Sequence, residues 1–377
     1  MEVSKPIYTA GEFVEGCIYL NAKETRAYRN LVVRLVGNEH VYWREGSRKH
    51  RRTYRNHYNN YDSCFQVASF DGSIGQGQYI FPFGFLLPAA MSGSFNFDDR
   101  CYIRYSLQAI MNHPTDEKES QVYEFFLNIM EPPRAPIAPI SKQATTEVKC
   151  CGCCKDYGSV SIDIQSDKNF AFSGDTINIT GNIDNSQGST EITEGLVTME
   201  ERRVVISQGG ATRYRYDQQY YFGQIPKVNP GQNYNFHYQA LIPEKITSYT
   251  AIGRVTARFF VLIASAQIGC CTTPPHALMH IVINSKTPNV MKQQKMPPPE
   301  GWYPHESPKI TCTNMKPFVY SPLPSIPFHN LPPGGIDNLK MVDPNQGMQP
   351  QFEEYDNTYQ GYNGDEGDYQ EPGIREY

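Results

Sequence analysis

The sequence predicts an all-β protein built from two tandem antiparallel sandwiches. Tyr (26), Phe (19), Gly (29) and Pro (28) are frequent while charged residues make up only 19% of the 377 residues, a composition typical of strands and turns. Apolar and polar residues alternate over short runs that end at Gly, Pro or Asn. The pattern of the first 130 residues also returns in the second half, and the length suits two domains.

The first sandwich is predicted over residues 1–131. The candidate strands include residues 30–37, 78–88, 102–110 and 121–130. In the second of these, aromatic residues at 79, 81, 83 and 85 fall on one face, as expected for a strand that lines a core. Pro82 lies inside this run and predicts an edge position or a bulge, because proline cannot donate to a ladder.

A connector is predicted over residues 132–149 and a second sandwich over residues 150–285. Four prolines between 132 and 139 remove backbone donors. Beyond them, three segments of the first half recur in the same order: 170–177 after 7–14, 236–243 after 81–88, and 255–263 after 103–110. Because three elements in one order indicate duplication, we predict two copies of one sandwich.

Residues 286–377 are predicted to be disordered, as a Pro-rich segment followed by an acidic, Tyr-rich tail. Neither stretch has enough apolar residues to offset the conformational entropy of ordering it. Residues 343–377 hold nine acidic residues and one basic residue, within a chain whose net charge is −5. The remaining body is only mildly basic, which does not favour a nucleic-acid-binding protein.

The sequence shows no targeting or membrane-spanning segment. The first six residues lack an apolar core, and the longest apolar run, near residues 259–264, is far shorter than a membrane span. We therefore expect a cytoplasmic protein, in which the ten cysteines are reduced thiols or metal ligands rather than disulfides.

Three short motifs follow one another along the chain and carry a family resemblance. They are residues 8–16 (YTAGEFVEG), residues 81–88 (FPFGFLLP) followed by 93–95 and 103–105, and residues 172–177 (FSGDTI) followed by 185–186. Together they resemble the arrestin family, in its alpha-arrestin (arrestin-domain-containing) branch, over about residues 1–284.

The resemblance implies two tandem arrestin-like, immunoglobulin-type sandwiches that act as a non-enzymatic adaptor. Such proteins bind cytoplasmic segments of membrane proteins, at the plasma membrane or endosomes, and link them to endocytic, trafficking or ubiquitylation machinery. This sequence lacks the P-P-x-Y motif of many alpha-arrestins, so direct recruitment of a WW-domain ligase is not expected. The alternative is an arrestin-shaped coat or scaffold subunit, resembling that of retromer, in endosomal sorting.

An enzyme built on the same sandwiches is the third interpretation. It finds little support, because the sequence holds no nucleophile elbow, dinucleotide fingerprint or P-loop. We therefore assign no catalytic residues.

A cysteine cluster is the sharpest local chemical feature. Two overlapping C-x-x-C pairs occur in one segment and a Cys-Cys pair in another: Cys150, Cys151, Cys153, Cys154, Cys270 and Cys271. Four thiolates could form a closed structural zinc site. Palmitoylation of these lysine-flanked cysteines and half-buried reduced thiols remain the alternatives, and no other cofactor is expected. His276 and His280, at i and i+4, could add ligands, although surface histidines are the commoner case.

A basic loop between two predicted strands is the candidate for binding phosphate or anionic lipid. It contains Arg44, Arg48, Lys49, Arg51, Arg52 and Arg55. Guanidinium groups suit phosphate geometry, so phosphorylated cargo tails or anionic headgroups are the expected ligands, and a solvated basic loop is the alternative. Tyr320 and Leu323 fit a weak Y-x-x-Φ sorting motif. The acidic tail could be phosphorylated on its tyrosines or act as a brake.

Overall fold

A computed structural model describes residues 1–47, 50–98, 100–133, 136–149, 156–269, 274–286 and 301–318. Within these ranges the chain forms strands, one short 3-10 turn at Glu117–Glu119 and no α-helix. The all-β prediction is therefore confirmed.

The first eleven strands are β1 (Glu2–Val3), β2 (Tyr8–Thr9), β3 (Phe13–Ala22), β4 (Asn30–Glu45), β5 (Arg52–Ser69), β6 (Gly77–Leu86), β7 (Phe95–Asp98), β8 (Cys101–Asn112), β9 (Gln121–Leu127), β10 (Ile129–Met130) and β11 (Ile140–Lys149). The others are β12 (Asp156–Ser166), β13 (Phe170–Phe172), β14 (Thr176–Asp184), β15 (Ile192–Ile206), β16 (Thr212–Ile225), β17 (Asn233–Leu241), β18 (Ala251–Ile252), β19 (Thr256–Ile268), β20 (His276–Asn284), β21 (His305–Glu306) and β22 (Ile310–Cys312).

Two facing sheets form the first sandwich. One has the order β1-β3-β6 and continues onto β21 and β22, while the other has the order β5-β4-β8 with β7 and β9 beside β8. The short strands β2 and β10 pair in parallel. Side chains from both sheets meet in one core that includes Leu35, Phe83, Phe85, Tyr105 and Leu107, all fully buried.

The aromatic alternation of β6 explains how this core forms. Phe81, Phe83 and Phe85 are buried, and the last two stack with ring centroids 6.3 Å apart. Pro82 sits opposite Cys17 of β3. On its other side β21 pairs with residues 79–80 and β22 with residues 83–85, so Pro82 falls in the gap between them. Because β6 lies between β3 and the strands β21 and β22, the predicted edge position is wrong for the strand as a whole; Pro82 lies at a gap in the pairing, where a residue without an N–H is tolerated.

Two further sheets form the second sandwich, with orders β11-β12-β14-β17 and β13-β20-β19-β15-β16; β18 pairs with β19. Its own core includes the isoleucines of β12 and β14 and the alternate residues Phe260, Leu262 and Ala264 of β19. β19 is buried on both of its faces over most of its length.

The connector is shorter than the predicted span of 132–149. Residues 140–149 form β11, which pairs with β12 in an antiparallel register from Ile140–Ser166 to Lys149–Asp156. The prolines end at Pro139, and the Thr- and Val-containing run beyond them can donate a complete ladder. The extension of the connector to residue 149 is therefore wrong.

The prediction of disorder throughout residues 286–377 is wrong for residues 301–318. This segment, the strap, adds β21 and β22 in parallel to β6. Its few apolar residues find partners on the first sandwich: the Trp302 ring meets Tyr19 edge-on at 6.5 Å, and Phe318 stacks on Tyr61 at 6.1 Å. The Tyr61 hydroxyl also donates to the Lys316 carbonyl at 2.6 Å. These contacts join residues far apart in sequence, so the local periodicity of the strap does not predict them.

Candidate interaction site at the junction of the sandwiches

The predicted basic residues lie on a long β-hairpin formed by β4 and β5. Arg44, Arg51, Arg52 and Arg55 are all exposed, whereas Arg48 and Lys49 fall outside the described residues. The ladder pairs Tyr42 with Arg55, Arg44 with Thr53 and Glu45 with Arg52. Because paired residues share a face, Arg44 and Arg55 point to one side of the hairpin and Arg52 to the other.

The hairpin is anchored at its base by an apolar cluster shared between the sandwiches. Val41, Trp43 and Cys101 of the first sandwich pack with Val205 and Val255 of the second. The Trp43 ring also stacks on Tyr54 at 4.8 Å, and its indole N–H donates to Glu45 at 3.0 Å. Burial of these aromatic residues fixes the direction of the basic hairpin.

Hydrogen bonds join the same hairpin to the turn between β15 and β16. The Asn56 side-chain amide donates to the Ile206 carbonyl at 3.1 Å, and the Gln208 backbone N–H donates to the Arg55 carbonyl at 3.0 Å. The exposed basic end therefore rests against the second sandwich instead of projecting on its own.

A buried carboxylate holds the turn that leads into β19. Glu39 of β4 is only 1% exposed and accepts the backbone N–H of Arg254 at 2.7 and 2.9 Å and that of Val255 at 2.9 Å. The Asn60 amide donates to the same carboxylate at 3.3 Å. Burial raises the pKa of Glu39, although the hydrogen bonds from the turn and from Asn60 oppose that shift. A glycine at 253 is required, since a Cβ there would lie 2.4 Å from the Glu39 carboxylate.

A second buried carboxylate, that of Glu131, holds β18. It accepts the Ile252 N–H at 3.0 Å, and the Glu131 carbonyl accepts the Asn284 side-chain amide at 3.0 Å. The Ser92 hydroxyl donates to the Ile252 carbonyl at 2.7 Å. Two glutamates, one from the first sandwich and one at the start of the connector, therefore hold residues 252–255 of the second sandwich.

Sequence reasoning missed these two glutamates, although Glu39 left a signal. It occupies the buried phase of β4, in step with Leu35, Val41 and Trp43. An acid at a core position predicts a specific hydrogen-bond partner. It also missed cations that the fold brings near the hairpin: Arg254 lies 4.2 Å from the Tyr58 ring, and Arg100 lies 6.0 Å from the Tyr42 ring.

The other predicted site residues are mostly outside the described residues. This holds for all six cysteines of the predicted cluster (150, 151, 153, 154, 270 and 271) and for Tyr320, Leu323 and the acidic tail. His276 and His280 lie on β20, where the His276 ring lies 3.2 Å from the Pro274 carbonyl and the His280 ring lies 5.1 Å from that of Phe259. No group of three metal-ligating side chains occurs among the described residues. The zinc site remains a prediction.

Two comparisons with known proteins bear on this architecture. The family model for the amino-terminal domain of arrestin (or S-antigen) matches residues 1–130, the span of the first sandwich. The first sandwich is therefore similar to the amino-terminal domain of arrestin. The pH-response regulator protein palF/prr-3 of Neurospora crassa is 30% identical to this chain over 166 residues, which cover 36% of the chain and 17% of that relative. The matched part is thus a small share of the relative's length.

No helix among the residues that the structure describes is long and apolar enough to cross a membrane.

Proposed function

We propose that this protein is a non-enzymatic, cytoplasmic adaptor of the arrestin type that binds cytoplasmic segments of membrane proteins and links them to endocytic or trafficking machinery. The observation that carries the proposal is the exposed basic hairpin anchored at the junction of two sandwiches, in a chain whose first sandwich is an arrestin domain. The relative's name, a pH-response regulator, supports a signalling role in general.

The hairpin tip would supply the electrostatic attraction. Arg51 and Arg52 are exposed next to the tip, and guanidinium groups bind phosphate oxygens in a bidentate manner. Phosphorylated cargo tails and anionic headgroups at the plasma membrane or endosomes share this chemistry. Separate assays distinguish the two sources.

Charge reversal at the tip tests the proposal. The full chain carrying Arg51→Glu and Arg52→Glu is compared with wild type in flotation on phosphatidylcholine vesicles, with and without phosphatidylserine. The two chains are also compared in binding to a Ser-phosphorylated peptide. At about 1 kcal/mol per basic residue near an anionic surface, losing two costs about 30-fold in affinity for the ligand that the tip recognises. A matched control, Lys23→Glu with Arg29→Glu, changes the same charge at a distant exposed site.

Equal binding by wild type and the Arg51/Arg52 variant to both ligands would contradict the proposal. Recovery of the full chain in stable complexes of fixed stoichiometry, independent of cargo, would instead favour the coat or scaffold alternative.

A further inference from the structure

The outward face of the sheet β5-β4-β8-β9 carries a group of cations that shares Arg44 and Arg55 with the basic hairpin, and we call it the cationic face. Its members are His40, Tyr42 and Arg44 on β4, Arg55 and His57 on β5, Arg100 just before β8, Tyr102 and Arg104 on β8, and Phe126 on β9. Glu39 and Val41, which alternate with these residues along β4, point to the buried side. The face extends along the hairpin as far as Arg44, and Arg52 points to the opposite side of the hairpin.

The residues of the cationic face are arranged in cross-strand rows. The register places Tyr102, His40 and His57 side by side on three neighbouring strands. The His40 ring stacks on Tyr102 with centroids 5.4 Å apart, and the two imidazoles lie 6.0 Å apart. The next row pairs Tyr42 with Arg55. The result is a flat, ordered patch and not a set of unrelated surface side chains.

Guanidinium groups lie over the rings of this patch. Arg104 is 4.0 Å from the Tyr102 ring centroid and 6.0 Å from that of Phe126. Arg44 is 5.4 Å from the Tyr42 ring. Stacking on rings holds a guanidinium in place, and Arg104 also donates to the Asn96 side-chain oxygen at 2.8 Å. The nine residues include four arginines and no acid, and Glu124 lies on the same face of β9, two residues before Phe126.

We propose that the cationic face binds an acidic peptide segment of a partner protein. Carboxylates of an extended peptide would meet the ordered guanidinium groups, and Phe126, which is 38% exposed, would pack against apolar parts of the same segment. A nucleic acid fits less well, because arginines already lie over the rings of Tyr42 and Tyr102 on which bases would stack. The inference extends the proposed function to a second surface, separate from the hairpin tip.

His40 makes this binding depend on pH. Burial lowers the pKa of His40, and the neighbouring His57 and Arg104 lower it further. The groups that face His40 are His57 on β5, Tyr102 and Arg104 on β8, and Tyr42 on its own strand. A bound carboxylate opposes this repulsion and favours protonation. Because peptide carboxylates, with pKa values of about 4, stay ionised, affinity should rise between about pH 7.5 and 5.5.

The test measures fluorescence anisotropy of the full chain with a fluorescein-labelled peptide of alternating Glu and Tyr. Arg44→Gln with Arg55→Gln is expected to weaken binding about tenfold, through the loss of two charge-assisted contacts. Lys23→Gln with Arg29→Gln should leave it within about twofold. Wild type should bind about fivefold more tightly at the lower pH, and His40→Gln should remove that gain.

Each other outcome overturns the inference. Peptide binding that is absent, or that is unchanged by the Arg44/Arg55 variant, means the face is not the site. Stronger Arg44/Arg55-dependent binding to phosphatidylserine vesicles or to a single-stranded RNA oligonucleotide means the partner class is wrong. Failure here together with a normal response to the tip variant, Arg51→Glu with Arg52→Glu, leaves the proposed function intact.

Discussion

Removing the Glu39 carboxylate should weaken the attachment between the two sandwiches. Glu39→Ala leaves the backbone N–H groups of Arg254 and Val255 and the Asn60 amide without the acceptor that they have in a nearly fully buried position. A buried donor left unsatisfied costs about 1–3 kcal/mol. Allowing for partial relaxation of the turn, we expect a loss of about 3–5 kcal/mol, a large part of the ~5–15 kcal/mol that stabilises a typical domain.

Equilibrium urea unfolding is the appropriate assay, with fluorescence and far-UV circular dichroism followed together. Trp43 lies in the apolar cluster shared by the sandwiches and reports on the junction. At a slope of about 3 kcal/mol per molar urea, the fluorescence midpoint should fall by about 1 M. The control is Glu124→Gln. Glu124 is exposed and accepts a hydrogen bond from the Gln108 side chain at 3.2 Å. This substitution should change the free energy of unfolding by less than about 0.5 kcal/mol.

Comparing wild type with Glu39→Gln at two pH values tests the direction of the pKa shift of Glu39. Burial raises the pKa of Glu39 in the folded state above the unfolded value of about 4.3. The stabilisation that this shift gives the folded state is therefore fully present below pH ~4.3 and is lost as the pH rises through the raised pKa. The difference in unfolding free energy between wild type and Glu39→Gln should therefore be larger at pH 4 than at pH 7. If Glu39→Ala unfolds like the Glu124→Gln control, residues 252–255 are not held as argued.

Two further predictions concern the strap and the cysteines. Phe318→Ala removes the ring that stacks on Tyr61 and should raise the hydrogen-exchange rates of residues 310–312 about tenfold. The control Tyr303→Ala, at a position that is 89% exposed, should leave these rates unchanged. Equal rates in the two variants would show that Phe318 does not hold the strap. Metal analysis of freshly purified, unchelated protein should find about one zinc ion per chain, and a lower zinc content in Cys150→Ser with Cys153→Ser. The absence of zinc from wild type would reject the metal site in favour of palmitoylation or plain thiols.

The sequence contained the architecture because the relevant signals are local. Period-two alternation with Phe81, Phe83 and Phe85 on one face specifies a core strand, and its return near Phe236 specifies the second copy. The basic character of the hairpin was also visible, because Arg44, Arg51, Arg52 and Arg55 are close together in the chain.

Contacts between residues far apart in sequence could not be read in the same way. Glu39 meets the turn at Arg254 across 215 positions, and Tyr61 meets Lys316 across 255. The strap shows no periodicity because only a few of its residues touch the first sandwich. The register of β8 against β4, which the sequence does not specify, is what places Arg100 and Arg104 on the cationic face.

Proximity labelling in the native cell tests the proposed function, that this protein brings membrane proteins to trafficking machinery through its junction surfaces. The full chain fused to a labelling enzyme should enrich membrane proteins with cytoplasmic segments together with endocytic components. The Arg51→Glu/Arg52→Glu variant should lose that enrichment, while the Lys23→Glu/Arg29→Glu control keeps it. Enrichment of fixed coat subunits alone, or identical profiles for all three chains, would contradict the account.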